Sequence, residues 1–157
     1  MKIKLLVIGK TDDKNLEQLI EKYQQRLNHY INFEIEIIPD IKNVKNLSQL
    51  QQKEKEGELI LSKLKNTDQL MLLDEKGKEY RSLDFANFLQ KKMNSGIKQL
   101  VLVVGGPYGF SESVYKKTVG KVSLSKMTFS HQMIRLFIVE QLYRGFTILK
   151  NEPYHHE

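Results

Sequence analysis

The sequence predicts a single α/β domain in three layers, with helices on both faces of a mostly parallel sheet. First, strand-like and helix-like segments alternate along all 157 residues, a pattern typical of βα units. Second, segments 69–74 and 99–104 are almost purely apolar, which indicates central strands buried on both faces. Third, no repeat, low-complexity tract or linker interrupts the chain, so residues 1–157 are expected to form one domain.

The first part of the chain predicts two strands and two helices. Segment 2–9 alternates weakly and then becomes fully apolar, as a strand does. Segment 16–30 has apolar residues at helical spacing, and 33–39 alternates apolar residues with glutamates, which favours a half-exposed strand near an edge. Segment 47–65 predicts a long helix. Gly57 lies inside it and costs about 1 kcal/mol relative to alanine unless a neighbour packs closely there.

The second part continues the same alternation around the two apolar strands. Ser82 and Ser111 are suitable N-caps for the next two helices, and Gly120 is suited to end the second of them. The remaining elements are, in order, a helix over 83–93, a shorter helix over 111–120, a short strand over 122–125 and a final helix over about 130–149.

Bulk composition narrows the classes of function. The absence of cysteine excludes disulfide scaffolds, thiolate metal sites and cysteine nucleophiles, and it fits a reducing compartment. No apolar run is long enough to span a bilayer, and the first residues suit a strand better than a signal peptide, so we expect a cytoplasmic protein. The four histidines lack the spacing of a zinc site, so no metal is expected. A formal net charge of +6 weakly favours a polyanionic partner.

Ligands of parallel sheets bind beyond the carboxyl ends of the strands. Four loops qualify here: 9–13, 74–80, 105–110 and 125–130. Loop 9–13 has a single glycine, which disfavours a dinucleotide-binding fingerprint. In 105–110 two glycines directly follow a central strand, so a ligand can approach the backbone there. A tight structural turn explains the same two glycines equally well.

The final helix combines a wide apolar belt with charged residues. Arg135 lies about 40° from His131 around the helix, whereas Glu140 and Arg144 form a stacked pair on another side. Burial on more than one side is therefore expected, against the sheet and against a second subunit. Glu140–Arg144 fits either an internal ion pair or a site for a charged ligand. No acid near in sequence pairs with Arg135, which favours an anionic ligand or a carboxylate from elsewhere.

The segment SLSKMTFSHQMIRLFIVEQLYRGF (123–146), followed by PYHHE (153–157), closely resembles the C-terminal signature of the RNA large-subunit methyltransferase H family. The members of this family are small SPOUT-class enzymes. The resemblance extends to the start MKIKLLVIGK and to KEGE (55–58), LLDEKGK (72–78) and VLVVGGPYGF (101–110). Two departures, a serine at 130 where proline is expected and a glycine at 145 where alanine is expected, remove no group that the reaction needs.

This resemblance implies a SPOUT-type α/β fold with a C-terminal trefoil knot, and a homodimer whose active site lies at the interface. It implies S-adenosylmethionine as cofactor and methylation at N3 of a pseudouridine in 23S rRNA. A chain without a separate RNA-binding domain is expected to act on assembled ribosomes, since it is too small to recognise the target's context alone. Two alternatives remain: a non-catalytic RNA- or ribosome-binding dimer of the same fold, and a nucleotide- or flavin-binding α/β protein.

The chemistry of this reaction predicts residues that act on the RNA, and the resemblance implies residues that bind the cofactor. Arg135 and Arg144 are predicted to contact RNA phosphate or carbonyl groups, and Tyr154 and His155 to stack on the base or remove its proton. His131 is expected to orient the helix start or the cofactor loop. The predicted cofactor residues are Leu73, Gly105, Leu124, Ser125, Lys126, Met127, Thr128 and Phe129.

Overall fold

A computed structural model describes all 157 residues. Five strands, all parallel to their neighbours, form one sheet in the order β2-β1-β4-β3-β5. The strands are β1 (Lys2–Ile8), β2 (Asn32–Ile38), β3 (Asp68–Glu79), β4 (Gln99–Val104) and β5 (Gly120–Ser123). The helices are α1 (Lys14–Leu27), α2 (Gln49–Ser62), α3 (Ser82–Asn94), α4 (Glu112–Lys117) and α5 (Met133–Leu149), with a short 3₁₀ turn at Val44–Asn46. The predicted α/β class with a parallel sheet is confirmed.

Two apolar cores, one on each face of the sheet, produce the three layers. The larger core joins the sheet to α1, α3 and α5, and the smaller joins it to α2 and α4. Strand β4 supplies both, because Leu100 and Leu102 point into the larger core while Val101 and Val103 point into the smaller one. This alternation explains why β4 is apolar at nearly every position. The polar alternation of β2 likewise fits its observed place at the edge.

The clearest departure from the predicted elements is the length of β3. Residues 74–79, expected as a loop, continue the strand, because a register shift between Leu73 and Lys78 lets β3 pair with β5 a second time. Gly77 permits this close return, since a Cβ there would lie 2.7 Å from the backbone of Lys121 and Val122. Gly120 correspondingly begins β5 and does not end the preceding helix.

The helix caps follow the sequence only in part. Arg81, and not Ser82, occupies the N-cap of α3 and makes no side-chain cap bond. Ser111 occupies the N-cap of α4 as expected, but its hydroxyl bonds to Ser113 Oγ at 3.0 Å and caps no backbone group. None of the helices combines the length and apolarity that crossing a membrane requires.

Candidate active site

A cavity of about 610 Å³ opens beyond the ends of β4 and β5, beside the middle of β3. Its walls come from residues 74–76 of β3, the glycine loop 105–110 and the segment 124–131, with Ile134 of α5 closing one side. This is the edge of a parallel sheet where ligands are expected. Three of the four candidate loops therefore meet in one place, and loop 9–13 does not line the cavity.

Nearly all of the predicted cofactor residues line this cavity. The exception is Lys126, whose side chain is 86% exposed and whose Nζ lies 3.9 Å from Glu79 Oε1. Met127 beside it is also mostly exposed, at 76% of its surface, although it lines the cavity. The lining residues that were predicted are Leu73, Gly105, Leu124, Ser125, Met127, Thr128 and Phe129.

Hydrogen bonds hold segment 124–131 in shape. Ser125 Oγ accepts from the backbone N–H of Met127 at 2.9 Å, and Thr128 Oγ1 donates to Glu75 Oε2 at 3.0 Å across the cavity mouth. Ser130 accepts from the N–H of Met133 at 3.0 Å. The serine in place of the expected proline thus satisfies one of the free N–H groups at the start of α5.

A tyrosine–aspartate pair in the cavity wall was not anticipated from the sequence. Tyr115 of α4 donates to Asp74 Oδ2 at 2.6 Å, and Asp74 Oδ1 accepts from the N–H of Lys76 at 2.8 Å. Burial, together with the bond to Asp74, raises the pKa of Tyr115 to about 12. Burial alone would raise the pKa of Asp74, but the bonds from Tyr115 and Lys76 outweigh it and lower that pKa. No local pattern signals the pair, since its members are 41 residues apart.

Arg135 lies inside the protein, with only 2% of its surface exposed. Its guanidinium donates to the carbonyls of Ile8 at 2.8 Å and Gly9 at 2.9 Å, and its Nε donates to the carbonyl of His131 at 3.0 Å. Burial lowers its pKa, against the opposing charges of Asp12 and Asp40. Arg135 thereby ties the end of β1 to the segment that walls the cavity, and its catalytic role stays a prediction.

The other three predicted catalytic residues, Arg144, Tyr154 and His155, form one group with Glu140, here called the tail cluster. Arg144 Nη2 lies 2.6 Å from Glu140 Oε1, its guanidinium stands 4.8 Å from the centre of the Tyr154 ring, and its Nη1 lies 3.3 Å from His155 Nδ1. Tyr154 Oη donates to Glu140 Oε1 at 2.8 Å. The internal ion pair that the sequence allowed is present.

Protonation in the tail cluster follows from these contacts. Arginine can only donate, so His155 Nδ1 accepts and the ring proton lies on Nε2. Burial, with bonds to Tyr23 and Glu140, raises the pKa of Tyr154 well above its ordinary value. The phenol therefore keeps its proton at neutral pH.

The tail cluster and the cavity are separated within one chain. Arg144 follows Ile134 by ten residues of α5, about 15 Å of helix rise. Between them, the outer face of α5 carries Phe137, which is 36% exposed and whose ring centre lies 5.0 Å from that of Phe129. The opposite face of α5 is buried against the sheet. No group of three potential metal ligands occurs in the protein.

Comparison with known proteins identifies relatives over the full chain. Residues 1–155 match the family described as "Predicted SPOUT methyltransferase". The chain is 73% identical to the Ribosomal RNA large subunit methyltransferase H of Flavobacterium psychrophilum and 66% identical to that of Parabacteroides distasonis, over 100% of both chains in each case. A solved probable methylase family protein from Haemophilus influenzae aligns with a TM-score of 0.51 at 10% identity, covering 99% of this chain and 70% of that one. That last likeness concerns the fold.

Proposed function

Because the chain belongs to the SPOUT methyltransferase family, we propose that it transfers a methyl group from S-adenosylmethionine to N3 of a pseudouridine in 23S ribosomal RNA. The observation that carries the proposal is the cavity at the sheet edge, whose lining includes Leu73 of β3, Gly105 and all of segment 124–129 except Lys126. The substrate class comes from relatives whose shared name is Ribosomal RNA large subunit methyltransferase H.

The residues of the cavity fit S-adenosylmethionine. The cavity volume of about 610 Å³ lies within the range of roughly 300–1,000 Å³ that is usual for small-molecule sites. Leu73, Leu124 and Phe129 offer apolar surface for an adenine, and Gly105 leaves the backbone open to its edge. Asp74 and Glu75 add negative charge that complements a positively charged ligand. The cofactor has no phosphates, so a phosphate-binding loop is not required.

Bound S-adenosylmethionine would supply a methyl group already activated by the sulfonium. The protein then has to align the target N3 and manage the charge that develops as its proton leaves. We assign to Arg144 the stabilisation of negative charge on the ring carbonyls. Tyr154 keeps its proton, so it stacks on the base or donates to it. His155 is the group assigned to receive the N3 proton, on Nδ1, which requires that its contact with Arg144 opens when the base binds.

For the tail cluster to act on a base held at the cofactor cavity, the two sites must come from different subunits. Within one chain the tail cluster lies along α5 from the cavity, and the exposed apolar surface around Phe137 lies between them. A homodimer packed on the outer faces of α5 brings the tail cluster of one copy towards the cavity of the other. The same packing covers the side of α5 that the sequence predicts to be buried.

Assembled ribosomes are the proposed substrate, and the cytoplasm the proposed location. The described residues form a single α/β domain, and a target within a ribosome offers shape and tertiary context for recognition beyond its sequence. The C-terminal trefoil knot stays a prediction of the family resemblance.

The decisive experiment is mass spectrometry of 23S rRNA from a strain lacking the gene. We expect one pseudouridine to lose its N3 methyl group, and purified protein with S-adenosylmethionine to restore it on isolated ribosomes. An unchanged rRNA spectrum, with ribosome binding retained, would instead indicate a non-catalytic ribosome-binding dimer. Titration calorimetry with S-adenosylmethionine and with a flavin separates the enzyme from a flavin-binding protein.

A further inference from the structure

The glycine loop is supported from behind by a buried acid. Glu56 of α2 has only 3% of its surface exposed, although it carries a carboxyl group. It does not line the cavity, whereas Gly105 and Gly106 do. Glu56 therefore contacts the side of the loop that faces away from the ligand space.

Glu56 and Gly106 lie so close together that a side chain at position 106 would collide with the Glu56 carboxyl. A Cβ built on Gly106 would overlap Oε2 of Glu56 and lie 2.8 Å from its Oε1. The carboxyl thus occupies the space that a side chain at position 106 needs. Gly106 is required here for close approach, since its φ is not in the left-handed region.

The next residue of α2 makes a second contact with the same segment. A Cβ on Gly57 would overlap Ser111 Oγ and lie 3.1 Å from Ser111 Cβ. This packing accounts for a glycine inside a helix, where it otherwise lowers stability. Glu56 and Gly57 together hold the two ends of the segment that runs from Gly106 to Ser111.

The hydrogen bonding of Glu56 is unusual for a residue with only a packing role. Oε1 is buried and has no hydrogen-bond partner within the protein, which costs free energy that an apolar side chain of the same size would not lose. Burial, reinforced by the charge of Asp40, raises the pKa of Glu56 and favours its neutral form. A buried polar group kept without a partner calls for a reason beyond stability.

We propose that Glu56 is a positioning residue for the methyl-donor pocket, holding the Gly106 turn in the shape that receives the cofactor. The inference rests on the proposed function for the identity of the ligand. The support of the loop by Glu56 can be measured without any ligand.

Hydrogen exchange and calorimetry on the full-length protein test this role. In Glu56→Ala, loop 105–110 should exchange its amides faster, and the Kd for S-adenosylmethionine should rise about tenfold. Turnover at saturating S-adenosylmethionine should fall less than about threefold, because the reacting groups remain in place. Glu56→Gln, of equal size and neutral, should retain wild-type loop exchange and affinity. Glu58→Ala, an exposed acid on the same helix, is the matched control.

A compensation experiment makes the test specific to the contact. Gly106→Ala should weaken S-adenosylmethionine binding about tenfold or more, because the new methyl group meets the Glu56 carboxyl. The double variant with Glu56→Ala removes that collision and should bind more tightly than Gly106→Ala alone. Additive losses in the double variant would overturn the proposal.

The remaining outcomes also discriminate. If Glu56→Ala does not fold, Glu56→Asp replaces it, since it shortens the side chain by one methylene. Loop 105–110 should again exchange its amides faster. Unchanged amide exchange and unchanged affinity for S-adenosylmethionine would contradict the positioning role. Wild-type protein that fails to bind S-adenosylmethionine would defeat the proposed function, while faster loop exchange in Glu56→Ala would still uphold the support of the loop. If the wild-type protein binds S-adenosylmethionine and every variant matches it in loop exchange and affinity, the positioning role is wrong and the proposed function stands.

Discussion

Arg144 and Arg135 belong to the same helix, but only Arg144 keeps part of its side chain in solvent. Replacing Arg144 by alanine removes the positive charge assigned to the ring carbonyls. Methyl transfer to ribosomes should fall at least about 100-fold, with the affinity for S-adenosylmethionine unchanged in calorimetry, since Arg144 does not line the cavity. Lys91→Ala, at an exposed site on α3, is the control. Wild-type turnover in Arg144→Ala would remove this residue from the mechanism.

Arg135→Met separates a structural role from a catalytic one. The substitution leaves the carbonyls of Ile8 and Gly9 without their charged donor, so the free energy of unfolding in urea should drop by about 3 kcal/mol. Loss of methyl transfer with unchanged stability would instead support the predicted contact of Arg135 with RNA.

The Tyr115–Asp74 pair predicts a stability change in alkaline solution. The pKa of Tyr115 is about 12 in the folded protein against an ordinary value of 10.0. Its contribution is therefore fully present below pH 10 and is lost as the pH rises towards 12. Urea unfolding at stepped pH should show this loss in the wild type and less of it in Tyr115→Phe. Parallel curves for the two proteins would contradict the assignment.

Some site residues could be predicted from the sequence and others could not. Leu73, Gly105 and segment 124–129 follow from a family signature, with Lys126 as the member that turns outward. Apart from the carbonyl of His131, the carbonyl partners of Arg135 are Ile8 and Gly9 at the end of the first strand, more than 120 residues away. Backbone carbonyls have no sequence signature, so an acid or an anion was expected in their place.

Strand β3 shows what periodicity can and cannot predict at the scale of an element. Its first part, Leu70–Leu73, is apolar because both faces are buried. Its second part, residues 74–79, has the composition of a loop and becomes a strand only because β5 pairs with it. Element types were accessible from local pattern, whereas this extension depends on a partner far along the chain.

Gly77→Ala tests the second pairing of β3 with β5. The added methyl group would lie 2.7 Å from the β5 backbone, which cannot move away as a side chain can. We expect a loss of about 1–3 kcal/mol in the free energy of unfolding, measured by urea titration. Gly96→Ala provides a contrast, since no atom lies within 4 Å of that Cβ and only its positive φ opposes the substitution. A smaller loss for Gly77→Ala than for Gly96→Ala would argue against a tight return.

For the whole molecule, the proposed dimer is the feature most open to test. Analytical ultracentrifugation should give twice the chain mass of 18.4 kDa. Phe137→Glu places a charge on the outer face of α5 and should yield folded monomers that do not methylate ribosomes. Leu50→Glu, at a 58% exposed position on α2, should remain dimeric and active. An active monomer of Phe137→Glu would exclude an interface on this face.

Strand order was the least accessible property of the whole fold. Apolar composition places β3 and β4 in the centre, and the glutamates of β2 place it near an edge. Composition does not distinguish which neighbour β1 takes, because its own residues are buried on both sides. The position of β4 between β1 and β3 is fixed by long-range packing and leaves no local trace.

The position of β4 between β1 and β3 affects how the chain folds during synthesis. Strand β1 emerges early in synthesis, yet Lys2 faces Gln99 in β4, so one of its edges stays unpaired until most of the polypeptide has left the ribosome. Such distant pairing slows folding and leaves apolar strands open to aggregation meanwhile. Nascent molecules are therefore expected to depend on chaperones until β4 is inserted, and refolding from denaturant is expected to be slow.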